Sequence, residues 1–322
     1  MLIDSFNREI DYLRISVTKQ CNFRCQYCMP NTPLDFHEES VELDKIFNFV
    51  KVCIDNGVKK IRITGGEPLL RPNLSEFLAS IKNYKPDIDL AITTNAFLLH
   101  KYVDSLHAAG LKRINVSLDS LKPERIALIS KVNALPTILK SLELASKKDF
   151  FIKLNMVPLK GINDDEMSDM LHFAFQHGFT LRYIEYMENL NASSSIKGLK
   201  SDEILERLKK DFKITYEEKE KKGPAKIYTA TSLSKNITSE FGIISPHDDD
   251  FCKSCNRIRL TAKGVLCPCL YYQDSVDLKD ALESKDIDKL DSLLKQAIKD
   301  KPEKNLWSED DISARAFYET GG

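Results

Sequence analysis

The chain has 322 residues, with 47 Lys and Arg against 48 Asp and Glu and a formal charge of −1. That length allows a full core and about two domains at roughly 150 residues each, while the charge balance excludes a broadly basic, nucleic-acid-binding face. No run approaches the roughly 20 apolar residues of a membrane helix, and Asp4, Glu9 and Asp11 sit where a signal peptide needs an apolar stretch. The expectation is a cytoplasmic protein with no nucleic-acid and no membrane partner. In a reducing compartment its eight cysteines serve metal, catalysis or packing rather than disulfides.

In chain order, β-branched or apolar runs at 12–17, 61–64, 90–93, 114–118, 151–156 and 181–186 predict strands. Between them, helical patterns lie at 44–56, 74–83, 98–109, 136–147 and 165–176, with Gly57, Gly110 and Gly178 placed as C-caps. Cys53 falls on the apolar face of the first of these helices, with Ile46, Phe47, Val50 and Ile54, and reads as a small core residue. Alternating βα units imply an α/β fold with a parallel sheet and right-handed crossovers. Six units are too few for a closed eight-stranded barrel, so a partial (β/α)6 barrel is expected over residues 1–187. A polar stretch from 188 to 201 then reads as a connection, with Ser201 capping a helix over 202–210. The mixed-charge run 217–222 reads as a solvated loop, and Leu290, Leu293, Leu294, Ala297 and Ile298 form a helical stripe in a second domain, 188–322.

The first strand runs into Cys21-Asn-Phe-Arg-Cys25-Gln-Tyr-Cys28. Three local thiolates can fold around one cuboidal cluster. Iron–sulfur cubanes normally take four cysteines, so one iron would stay open for chemistry, in a loop at the C-terminal end of a strand where such folds place their sites. A zinc knuckle would need paired C-x2-C hooks, and only His37 is near. The spacing, with Tyr27 before the last cysteine, resembles the radical S-adenosylmethionine (SAM) superfamily. The segment Thr64-Gly65-Gly66-Glu67-Pro68 after the second strand resembles that superfamily's GGEP motif. The resemblance implies a 4Fe-4S cluster on Cys21, Cys25 and Cys28 whose open iron is chelated by SAM. The reduced cluster then yields a 5′-deoxyadenosyl radical that takes a substrate hydrogen. It also implies SAM contacts from Tyr27, Gly66, Glu67, Thr93, Ser117 and Met187.

A second group, Cys252-Lys-Ser-Cys255 followed by Cys267-Pro-Cys269, offers four thiolates in a C-x2-C-x11-C-x-C pattern. From the residues alone a structural zinc ribbon fits. Arg257 and Arg259, two guanidiniums beside the site, suit it poorly. With Gly223-Pro-Ala225 and Gly242-Ile-Ile-Ser-Pro246 upstream, the string resembles the C-terminal domain of the GTP 3',8-cyclase family. That resemblance implies a C-terminal iron–sulfur domain closing the barrel mouth, with a second 4Fe-4S cluster on Cys252, Cys255 and Cys269 whose open iron binds guanine. Cys267, where the family usually has a basic residue, is read as a bystander and not an alternative ligand.

The same resemblance implies GTP contacts from Arg14, Lys60, Arg62, Lys153, Arg182, Arg257 and Arg259, in keeping with the many donors a triphosphate requires. It implies a tail, Gly321-Gly322, that reaches the active site. It also implies an electron donor such as flavodoxin or ferredoxin, a downstream cyclic pyranopterin monophosphate synthase receiving the product, and it allows a homodimer. Ala96 replaces a family glycine after Thr-Thr-Asn, and the stretch around Pro302 to Asn305 lacks the family's histidine. The expected reaction is abstraction of the ribose 3′ hydrogen, attack of C3′ on guanine C8 and reduction to a cyclised dihydro-GTP, the first step of molybdenum cofactor biosynthesis. Two alternatives remain: a radical SAM peptide- or protein-modifying enzyme with an auxiliary cluster, and a non-catalytic zinc-binding module. The first typically needs more C-terminal cysteines, and the second has no use for GGEP.

Overall fold

A computed structural model describes all residues except 30–39, 191, 193, 194, 219–222, 307–312, 314 and 322. His37 and Gly322 lie outside the described residues. Six strands with their intervening helices come first: β1 (Tyr12–Ser16), α1 (Leu43–Asp55), β2 (Lys60–Thr64), α2 (Leu74–Tyr84), β3 (Asp89–Thr94), α3 (Val103–Ala108), β4 (Arg113–Ser117), α4 (Pro123–Ser130), α5 (Leu135–Ser146), β5 (Phe151–Met156), α6 (Met167–Gln176) and β6 (Thr180–Ile184). The helix expected over 98–109 is broken into a 3-10 turn, Leu99–Lys101, and α3. Helix α4 was not expected, although Pro123 at its first turn followed by Glu124 is a legible start signal.

Strand alternation explains how these units stack. Leu13, Ile15, Ile61, Ile63, Leu90, Ile92, Ile114 and Val116 point outward into the main core with α1 and α2, and Cys53 is fully buried there. Apart from Ala91, the intervening residues are polar. Tyr12, Arg14 and Ser16 of β1, and Lys60, Arg62 and Thr64 of β2, share the opposite face because side chains alternate along a strand.

The remaining elements are α7 (Ser201–Leu208), β7 (Phe212–Tyr216), β8 (Ala225–Ser232), β9 (Thr238–Ile244), α8 (Asp249–Lys253), β10 (Arg257–Leu260), β11 (Val265–Cys267), β12 (Val276–Asp277), α9 (Lys279–Glu283), α10 (Ile287–Lys299) and α11 (Phe317–Thr320). Lys200, not Ser201, is the N-cap of α7; the Ser201 amide instead donates to Glu185 Oε1 at 2.5 Å. Among the described residues, the strands form one twelve-stranded sheet in the order β12-β11-β10-β1-β2-β3-β4-β5-β6-β9-β8-β7. β10 pairs parallel to β1, and β9 pairs parallel to β6. Residues after 188 thus extend the partial barrel at both edges, and α9 and α10 pack against α1. Sheet and core continue across the boundary expected at 187/188. The connection there is not a free strap: Ile196 and Leu199 are buried, and the Leu199 amide donates to Pro158 O at 3.0 Å.

Candidate active site

The inward-facing residues form two tiers. The first, over the N-terminal and middle parts of the strands, is basic. Parallel register sets Arg14 opposite both Arg62 and Arg259, and Tyr12 opposite both Lys60 and Arg257. Tyr12, Lys60, Arg62, Arg113, Lys153 and Arg182 line a cavity of about 500 Å³. Arg14, Arg257 and Arg259 are buried and do not line it; Arg14 and Arg259 lie within electrostatic reach of Arg62, and Arg257 within reach of those two. The Tyr12 ring lies 5.5 Å from the Arg14 guanidinium carbon and 5.3 Å from that of Arg62.

Burial first, and then the neighbouring cations, push Arg14, Arg62 and Arg182 down to about 10 and Lys153 to about 8. All remain protonated at neutral pH. Burial alone would raise the Tyr12 hydroxyl, but Arg62, Arg14, Arg113 and Arg182 together lower it. Arg182 is held by Asn155 Oδ1 at 3.0 Å and Asn115 Oδ1 at 2.8 Å. Buried Arg62 Nε has no hydrogen-bond acceptor among the described residues. Such concentrated, incompletely satisfied positive charge favours an anion to receive it.

The second tier lies at the C-terminal strand ends. A cavity of about 180 Å³ is bounded by the cysteine loop (Cys21, Cys25, Tyr27, Cys28), by Gly65 and Gly66, and by Thr93, Ser117 and Met187. Five of the six residues expected at SAM line it. Glu67 does not. It is fully buried, and its carboxylate accepts from Thr94 Oγ1 at 2.7 Å, the Leu69 amide at 3.1 Å and the Asn95 amide at 2.7 Å. Its oxygens are turned into the joint between the β2 and β3 loops, and burial raises the group to about 7 against those bonds.

The glycines before Glu67 serve a backbone crossing. A Cβ on Gly66 would lie 2.2 Å from Gln20 O, where the cysteine loop is tied down by Gly66 N to Thr18 O and Glu67 N to Gln20 O. Ala96 adopts φ 61°, the left-handed region that favours glycine. Asp119, also in the cavity wall, accepts the Tyr27 hydroxyl at 2.7 Å and the Val157 amide at 2.9 Å. Sequence reasoning missed Asp119, Asn115, Asn155, Tyr12 and Arg113; the polar alternation within each strand was the signal that could have found them.

Burial holds the thiols of Cys21 up at about 11, Cys28 at about 12 and Cys25 well above its usual range. Close packing of three such thiols fits a centre whose positive charge would take their protons. In the second triad, Cys255 and Cys269 both lie within electrostatic reach of Cys252. Burial would raise the Cys255 thiol, but Arg257 and Lys301 bring it to about 6. Among the described residues, no three Cys, His, Asp or Glu side chains converge on the position of a single metal ion.

Cys267 points elsewhere, with Arg315 Nη1 2.9 Å from its Sγ. The tail joins the two sites. Phe317 packs with Tyr271, Cys28, Met187 and Cys269, and Arg259 donates to Thr320 O at 3.3 Å and to Gly321 O. Arg259, expected at the nucleotide, is therefore engaged by the tail. Gly321, at φ 66°, sits so close that an added Cβ would be 2.0 Å from Thr64 Cγ2.

Residues 15–174 match the family model described as Radical SAM superfamily, and residues 179–307 match that described as Molybdenum Cofactor Synthesis C. A Helicobacter pylori (strain J99 / ATCC 700824) protein named GTP 3',8-cyclase is 53% identical over 326 residues, with 100% of each chain covered. A Campylobacter curvus (strain 525.92) protein of the same name is 48% identical over 327 residues, again with 100% of each covered. Among solved structures, Streptococcus suis SuiB bound to S-adenosylmethionine superposes with a TM-score of 0.66 at 16% identity, over 87% of this chain and 65% of that one. This chain thus spans just under two thirds of that structure, and the likeness is one of fold.

Proposed function

The chain belongs to the GTP 3',8-cyclase family of the radical SAM superfamily, and from that premise we propose that it converts GTP to (8S)-3',8-cyclo-7,8-dihydroguanosine 5'-triphosphate, opening molybdenum cofactor biosynthesis. The observation that carries this reading is the buried basic tier directly beneath the cavity at the strand ends. Cys21, Cys25 and Cys28 would hold the first 4Fe-4S cluster, and Cys252, Cys255 and Cys269 the second; the first, with SAM, would supply the radical chemistry that removes the ribose 3′ hydrogen.

The protein's own work is placement. Tyr27, Gly66, Thr93, Ser117 and Met187 enclose SAM, while Glu67 fixes the glycine turn from behind. Lys60, Arg62, Lys153 and Arg182 take the triphosphate, with Arg14 adding charge behind them. Arg257, whose guanidinium carbon lies 4.4 Å from the Phe251 ring centroid, spans from this tier to the second triad. Arg259 holds the tail. A flavodoxin or ferredoxin supplies electrons in the cytoplasm, and a cyclic pyranopterin monophosphate synthase takes the product. Among the described residues no helix is long and apolar enough to cross a membrane.

The deciding experiment is anaerobic reconstitution followed by SAM, reductant and each nucleoside triphosphate in turn. Cyclised product is expected from GTP alone, and 5′-deoxyadenosine formation should be lost in Cys25→Ala. Product from another nucleotide, or none from GTP with both clusters present, would sink the reading.

A further inference from the structure

Beyond α10 the chain crosses the second cysteine triad, where Lys301 ties two of its segments together and Asn305 reaches one of its sulfurs, neither being a ligand candidate. Lys301 is buried, at 3% exposure, and its Nζ donates to Arg257 O at 3.0 Å and Pro268 O at 2.5 Å. Those carbonyls belong to the segments bearing Cys255 and Cys269, so the ammonium sits in the joint between them. Four residues on, Asn305 directs its backbone N–H and its Nδ2 at Cys252 Sγ, at 3.4 and 3.2 Å, while Nδ2 also reaches Pro246 O at 3.1 Å. The crossing is anchored from the N-terminus: Arg8 donates to Pro302 O at 2.7 Å, Glu303 O at 2.6 Å and Cys252 O at 3.0 Å.

A buried ammonium bonded only to carbonyls is costly unless negative charge lies nearby, and the thiolates are that charge. Three thiolates leave an oxidised cluster net negative, and one added electron makes it more so. Buried positive charge and N–H donors on a ligating sulfur therefore favour the reduced form. We propose that Lys301 and Asn305 are positioning residues that set the reduction potential of the second centre. Lys301 acts by its charge and Asn305 by its two hydrogen bonds to Cys252. The inference rests on the reading of Cys252, Cys255 and Cys269 as cluster ligands.

The test is a dithionite redox titration of the full-length holoprotein, followed by electron paramagnetic resonance, with iron counted per chain. The centre whose signal changes on adding SAM is the first, and the SAM-insensitive one is the second. Lys301→Met and Asn305→Asp should each move the SAM-insensitive couple to lower potential and leave the other unmoved, whereas Lys301→Arg should stay near wild type. Unchanged potentials in Asn305→Asp and Lys301→Met at full iron content would overturn the proposal. If Lys301→Met loses iron, the Asn305→Asp result decides alone. A wild-type protein holding only a SAM-sensitive centre would instead overturn the ligand assignment itself, and this proposal with it, before any variant is made.

Discussion

Arg14 on β1 and Arg62 on β2 stand directly opposite each other in parallel register, both buried. Like charges so placed destabilise a sheet, and burial with mutual repulsion depresses both to about 10. Keeping Arg62 charged there costs roughly 3 kcal/mol, at about 1.4 kcal/mol for each pH unit. Folding alone does not account for the pair, which fits the anion-binding role proposed for this tier.

Arg62→Met should therefore stabilise the ligand-free protein, by about 1–3 kcal/mol, and weaken GTP binding roughly 10- to 100-fold through loss of charge-assisted bonds. Thermal melts and calorimetry with and without GTP check both halves. A variant that is less stable and binds normally would contradict the anion role of this tier.

Glu67 gives a pH signature. Burial raises its folded pKa from 4.5 to about 7, so the folded state binds a proton that the unfolded state has released. Its contribution is fully present below about pH 4.5 and is lost as pH rises to about 7, a swing of up to roughly 3 kcal/mol. The stability of wild type relative to Glu67→Gln should fall across that window in urea unfolding at a series of pH values. A flat difference would refute the shift.

Gly321→Ala places a methyl where Thr64 Cγ2 already lies, at a φ of 66°. The fold should survive while the tail undocks, since Arg259, Arg315 and the Phe317 cluster hold it outside the main core. Amide exchange over the tail segment should rise at least about tenfold, with the melting temperature shifted by less than roughly 3 °C. Unchanged exchange would disprove the close fit.

Cys267→Ser should leave the iron content of the holoprotein unchanged, because its Sγ faces Arg315. Arg315 keeps its bond from Nε to Tyr272 O at 2.7 Å in the variant. Loss of one cluster's worth of iron would make Cys267 a ligand.

Much of the barrel was legible because its signals are local. The Lys-Ile-Arg-Ile-Thr of β2 displays a strand, its apolar face and its polar face in five residues, and the spacing of Cys21, Cys25 and Cys28 carries the resemblance to the radical SAM superfamily that residues 15–174 match. Glu67 shows the limit of a motif. Its neighbours identified the turn, but only folding revealed that Thr94, Leu69 and Asn95 occupy its carboxylate. Lys301 gave no sequence signal, and the stretch ending at Asn305 stood out only for lacking the family's histidine, since a lysine and an asparagine after a helix are ordinary surface residues until the chain turns them inward.

By itself the sequence determined the six βα units, the two cysteine groups and the roster of basic residues, all written in spacings of a few positions. Tertiary structure alone decided that β9 and β10 join the parallel sheet at opposite edges, and that this aligns Arg259 with Arg14 and Arg62. It also decided that the tail ends against Thr64. The physical reason is range: helix and strand periodicity is fixed by near neighbours. Register between segments over two hundred residues apart is set by which apolar faces meet in a shared core, and no local pattern records that choice.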